Sequence, residues 1–364
     1  MIRLSRSEGL VTVGPGPLIT DISAPLDAMV LEVVGGHLSW SVLDDRQMPA
    51  AVLDDADAAQ DWLWAIYGES VALAVADGVD GELATEPARA DLVVALWRLA
   101  YAHWASRWWP ASTVDGIPAL DPNLLDEEIR ELSERCEMVL ADSELIGIGT
   151  GEDLADLTYR RDAPAQQSAP PARSTQSGDD ATGPMAEAGH ESTSRADDYA
   201  LAAGGTRAGD GLVMARGSGD WDWRRCPPGL FDAGGNTLSW NVVRSSGGSK
   251  VRVTVVAAPD CPPNVPEHLR PRVGLGFDIG AELFVTIGLK LRTDSWSAEI
   301  QLPEGVETFT TLSVFVPGVG PESTHDESAE RARIRDFVRR RLTGRTTDPL
   351  LTAESAAAES DEDF

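Results

Sequence analysis

Residues 156–218 place the strongest constraint on what this chain can fold into. They read mostly Pro, Gly, Ser, Ala and Asp, with few large apolar side chains. Such a stretch cannot bury enough apolar surface to offset the entropy of ordering it. One core is therefore not expected to run through it. The sequence predicts two folded parts joined by a disordered linker, able to move independently or to reach two sites on one partner. The boundaries that follow are an N-terminal domain over 1–155, the linker over 156–218, a second domain over 219–328, a helix over 329–342 and a disordered acidic tail over 343–364.

The N-terminal domain reads as α+β, a short sheet with a helical hairpin. Apolar runs at 29–34 and 38–43 flank Gly35-Gly36, a turn signal between two strands. Ala59, Trp62, Leu63 and Ile66 recur at helical spacing after three aspartates, and Val71–Ala76 reads as a further strand. The strongest helix lies between Pro87 and Pro110, because proline suits a first turn and cannot continue a helix. Within it Trp97, Tyr101, Trp104 and Trp108 form one stripe, with Leu92, Leu96, Leu99 and His103 beside it. Asp121-Pro122 caps the next helix, whose stripe is Leu125, Ile129, Leu132, Cys136 and Val139.

Residues 219–328 read as all-β and sandwich-like, with a small barrel as the alternative. Alternating apolar positions recur around Leu238–Val242, Val251–Val255, Val273–Ile279, Leu283–Leu291, Trp296–Leu302 and Phe309–Val316. The first two are joined by a Ser245–Ser249 turn. GGHLSWSV at 35–42 resembles GGNTLSWNV at 234–242, but the flanks do not match. Shared turn-and-strand chemistry explains that echo better than duplication. In the helix over 329–342, Ile334, Phe337, Val338 and Leu342 share one side and Arg331, Arg335 and Arg339 the other.

The formal net charge is −29, and residues 1–150 hold −18 of it, with 8 basic and 26 acidic side chains. Non-specific nucleic-acid binding is disfavoured by repulsion from phosphate. The acidic charge of this domain reads first as solubility. The sharper alternatives are a face that docks a basic protein partner or one that mimics nucleic acid, the latter not favoured by the carboxylate spacing. The arginine helix competes for that acidic surface from within the chain, as an electrostatic latch. No apolar run approaches the length of a bilayer span and no secretory leader is evident, so the expected setting is cytoplasmic without membrane insertion. Cys136, Cys226 and Cys261 are then free thiols, and no CxxC pair or ligand-spaced histidine points to a metal.

Candidate chemistry is sparse. His37, His103, His190, His268 and His325 stand in no catalytic context, so no catalytic residue, metal or cofactor is assigned. Gly147-Ile-Gly149-Thr-Gly151 imitates a phosphate loop but follows a helix and lacks a lysine. The binding candidates are aromatic and guanidinium side chains, the types that dominate interface hot spots. One group is Trp109 with Arg98 and Arg107 at a helix end. The other is Trp221, Trp223, Arg224 and Arg225, where two tryptophans two residues apart share one side of an extended strand. The competing reading makes these tryptophans core, with Trp109 folded back over its helix end. The function expected is a non-catalytic adaptor assembling partners through two tethered domains. The alternatives are a sandwich module for a glycan or peptide, and an enzyme with a carboxylate-based site.

Overall fold

A computed structural model describes residues 1–7, 9–14, 25–44, 48–140, 211–278, 282–321, 326–344 and 348–361. The N-terminal part carries an antiparallel sheet with strand order β3-β4-β5-β2-β1-β6. Its strands are β1 (Ile2–Ser7), β2 (Leu10–Gly14), β3 (Ala28–Val33), β4 (Gly36–Ser41), β5 (Ala50–Leu53) and β6 (Gly81–Leu83). The predicted β3–β4 hairpin forms around Gly35, whose φ of +76° excludes most side chains. Its carbonyl accepts from the Asp54 and Asp55 amides at 3.1 and 3.2 Å, pinning the hairpin to the segment that enters the helices.

Helices α1 (Gln60–Tyr67), α2 (Glu69–Ala76), α3 (Ala90–Trp108) and α4 (Pro122–Cys136) cover the sheet. The expected strand at 71–76 is a helix instead. Its run is bounded by Gly68 at φ +93° and holds three alanines, which favour helix over strand. The α3–α4 hairpin forms as predicted: the Asp121 carboxylate caps α4 by accepting from the Asn123 amide at 2.8 Å. In α3, Trp97, Tyr101 and Trp104 stack along one side with centroids 5.4 and 5.6 Å apart.

The C-terminal part is all-β, with two sheets sharing a core. One has the order β12-β13-β9-β8-β7 and the other β11-β10-β14. The first five strands are β7 (Leu212–Gly219), β8 (Leu238–Ser245), β9 (Gly248–Val256), β10 (Arg272–Asp278) and β11 (Glu282–Gly288). Then follow β12 (Lys290–Arg292), β13 (Ser295–Gln301) and β14 (Thr311–Phe315). Val251, Val253 and Val255 of one sheet and Val273, Leu275 and Phe277 of the other are buried together, as their alternation predicted. The run expected over 283–291 is broken at Leu289, whose amide donates to Pro271 O as the chain passes between sheets. The linker boundary also moves: Leu212–Gly219 pairs with β8 across a bulge near Met214 and is a strand. Residues 141–210, with the glycine-rich motif at 147–151 and His190, lie outside the described residues, as does His325.

Two helices close the chain, α5 (Ser328–Leu342) and α6 (Thr352–Asp361). The tail expected to be disordered from 343 onward is corrected by α6, with Leu351, Ala353 and Glu354 fully buried. Its Ala-rich composition is helix-forming, and its acid is neutralised on site. Glu354 accepts from Arg341 Nε and Nη2 at 2.7 Å each and from the Tyr101 hydroxyl at 2.7 Å. Burial alone would lower the Arg341 pKa, but the Glu354 carboxylate holds it above the usual guanidinium value. Nearby, Glu128 of α4 accepts from Arg98 at 2.6 Å and from the Thr352 amide at 2.7 Å. The end of the described chain is thus tied to α3 and α4.

Among the described residues, no helix is long and apolar enough to cross a membrane.

Candidate functional site

The two parts are joined by more than a linker. After α3, Pro110 stops the helix and the chain turns through Ala111–Ile117, presenting its polar groups to the β region. Ala111 O accepts from the Ala233 amide at 3.1 Å, and Asp232 Oδ2 accepts from the Thr113 amide and hydroxyl at 2.8 and 2.9 Å. α5 lies against both sides. Phe337 packs edge-on to Tyr101 and Trp104. Arg335 and Arg339 pair with Asp115 at 3.1 and 2.6 Å, and Arg335 also donates to Ala233 O at 3.1 Å. Burial lowers the Arg335 pKa, with Asp115 opposing it.

At this junction the structure brings together binding candidates more than a hundred residues apart in sequence. A cavity of about 40 Å³ is lined by Arg107, Trp108 and Trp109 from the end of α3 and by Trp221, Trp223 and Phe231 from the β region. Pro228 and Gly229 sit at its exposed mouth. That volume admits a few waters or a group of similar size, well below the several hundred Å³ typical of sites for larger ligands.

Trp221 and Trp223 do not project from an extended strand. Asp222 accepts from the Arg224 amide at 2.9 Å and folds Trp223–Arg225 into a 3-10 turn. The two rings, 6.2 Å apart, are only 6% and 4% exposed. Trp221 donates to Asp232 O at 2.9 Å, so its indole N–H is already engaged. Trp109 is half-buried and donates to Pro118 O at 2.8 Å, which folds it back over the helix end.

The arginines separate. Arg98 belongs to the α6 anchorage, where Nη2 also donates to Leu350 O at 2.9 Å. Arg224 is buried against Glu327 at 2.6 Å. Arg225 lies over the Phe315 ring at 4.5 Å. Arg107 alone faces the cavity as a charge. Its guanidinium stacks over Trp108 at 4.1 Å and donates to Cys226 O at 3.3 Å and Arg224 O at 3.5 Å. Among the described residues no carboxylate pairs with it, and burial, with the Arg224 charge adding to it, lowers its pKa to about 10. Beside it, burial pushes the Cys226 thiol well up, so it is a packed, unreactive sulfur.

A second feature escaped the sequence reading. Among the described residues β11 is an outer strand of its sheet, bonded on one side to β10 only. Phe284 and Ile287 on it are 53% and 39% exposed, and Val285 between them is half-buried. Arg272 opens the neighbouring strand opposite Gly288, and Lys290 and Arg292 follow β11 after one residue. With Arg270 they make four cations whose side chains have no ion pair or hydrogen bond among the described residues. The alternation of 283–291 marked a strand, but only the sheet order shows that it stands at an open edge.

His37 and His103 are both partly buried, which lowers their pKa. No family model matches this chain, and comparison with curated proteins and with solved structures finds no match.

Proposed function

We propose that the chain is a non-catalytic interaction protein, an adaptor that takes a strand from an acidic protein partner at the open edge of β11. The observation that carries this reading is the edge itself. Free backbone groups invite a further strand, and exposed Phe284 and Ile287 gain from being covered. Of the other outer strands of the β region, β7 is bulged near Met214, a device that discourages pairing, β12 has only three residues, and β14 lies across β10 from β11.

The charge of the partner follows from Arg270, Arg272, Lys290 and Arg292, which have no ion pair among the described residues. The acid-rich residues 1–150 favoured a basic partner; at β11 the local field favours the opposite sign. A peptide fits better than a nucleic acid, because the edge offers main-chain pairing and apolar contact while the whole molecule carries −29. A glycan platform at Trp221 and Trp223 is less favoured, since both rings are covered. Three free thiols suit a reducing, cytoplasmic setting.

The test is fluorescence anisotropy of the full chain with a labelled peptide alternating Glu and Val, its Lys–Val counterpart, and a single-stranded oligonucleotide. The acidic peptide should bind, weaken with salt, and lose about tenfold or more in affinity in Phe284→Glu. Preference for the basic peptide or the oligonucleotide, or indifference to Phe284→Glu, would overturn the reading.

A further inference from the structure

The junction cavity carries a second inference, independent of the β11 edge. A guanidinium offers five N–H donors, and the hydrogen bonds of Arg107 employ two of them, both to neutral carbonyls. Its nearest cationic neighbour, Arg224, has its own carboxylate in Glu327, so no anion is shared between them. Arg107 is half-buried, and a cation that has lost part of its hydration is normally matched by an opposite charge. Here the matching charge is missing from the described protein, while an open space of about 40 Å³ lies beside the cation.

The walls narrow the class of anion. Arg107 is the one charged residue of the lining; the others, among them Trp221, Trp223, Phe231 and Ala258, are largely apolar and favour a small apolar stub over a second charge. A phosphate or sulfate dianion would call for more than one free cation and more room. A planar carboxylate matches the fork of the guanidinium. We propose that this cavity is a binding site for a short-chain carboxylate, paired with Arg107 and with its aliphatic end against the Trp221–Trp223 wall. The same chemistry is presented by a free acid the size of acetate and by the C-terminal carboxylate of a peptide entering past Pro228 and Gly229.

The experiment is thermal unfolding of the full chain in sodium acetate and in sodium chloride at equal ionic strength. The acetate should raise Tm saturably above the chloride value, and the difference should vanish in Arg107→Gln. Ala258→Leu, which fills the cavity and leaves Arg107 in place, should abolish the acetate increment as well, so the test survives if Arg107→Gln fails to fold. Glycylglycine and its C-terminal amide separate the two sources. Stabilisation by the acid but not the amide assigns a peptide terminus, and stabilisation by acetate alone assigns a free acid. Equal Tm in acetate and chloride, or an acetate increment retained in Ala258→Leu, would overturn the site.

Discussion

Single side chains decide most of the energetics at the junctions of this molecule. Arg341 and Glu354 are 1% and 0% exposed and satisfy each other together with Tyr101. Replacing one partner strands the other charge away from water. Glu354→Ala should therefore cost about 3–5 kcal/mol in urea unfolding, while the double change Arg341→Met with Glu354→Leu should recover most of it. Tyr67 and Tyr101 provide a pH signature. Burial raises both phenols above the usual tyrosine value, with Glu354 adding to the effect at Tyr101. Each stays protonated in the folded state after the unfolded chain begins to ionise. Their stabilisation is complete below about pH 10 and is lost as the pH rises further. The alkaline loss should be shallower in Tyr67→Phe, measured by denaturant midpoint between pH 8 and 11. At this scale the surroundings of the candidate residues are what the sequence left unread. Trp109, Arg107, Trp221 and Trp223 do meet, but the backbone turn set by Asp222 covers two rings expected to stand on a strand. A three-residue 3-10 turn in place of extended strand is invisible in composition.

Among the elements, those with chemical punctuation were legible. Pro87, Pro110 and the Asp121-Pro122 cap delimit α3 and α4 closely, and Asp121→Ala should cost about 1 kcal/mol in the same unfolding assay. Elements lacking such marks were lost. β5 is four residues of Ala, Val and Leu at the middle of a sheet, too short for its alternation to be counted. α6 has the Ala, Glu, Ser and Asp content of a solvated tail, and only Arg341, supplied by another helix, turns its acid into an anchor. Truncation after Gly344 removes that anchor and uncovers part of α4, so it should lower Tm even though β strands are untouched. An unchanged Tm would mean that α6 contributes no packing.

For the molecule as a whole, charge arithmetic and linker composition foresaw two parts but not how they are held. The expectation of an arginine helix on an acidic domain has its counterpart in the Asp115 pairs of α5. The same helix also reaches the β region through Ala233, and the hydrogen bonds from Ala233 to the Ala111 carbonyl and from Thr113 to the buried Asp232 carboxylate add a component that salt screens little. A protease site introduced between residues 141 and 210 tests this directly. After cleavage the two fragments should co-elute in size exclusion at low salt and still do so in high salt. Separation at moderate salt would show that ion pairs alone hold them.

The return of α6 to α3 also has a temporal consequence. Arg98 and its acceptor Leu350 are 252 residues apart. At roughly 5–20 residues per second of synthesis, α3 waits on the order of 10–50 s for the segment that closes over it. Throughout that interval the Trp97–Tyr101–Trp104 stack lacks Phe337 and Glu354. A nascent chain therefore passes through a stage in which the first part is formed but uncapped, and that stage is where a chaperone would find it.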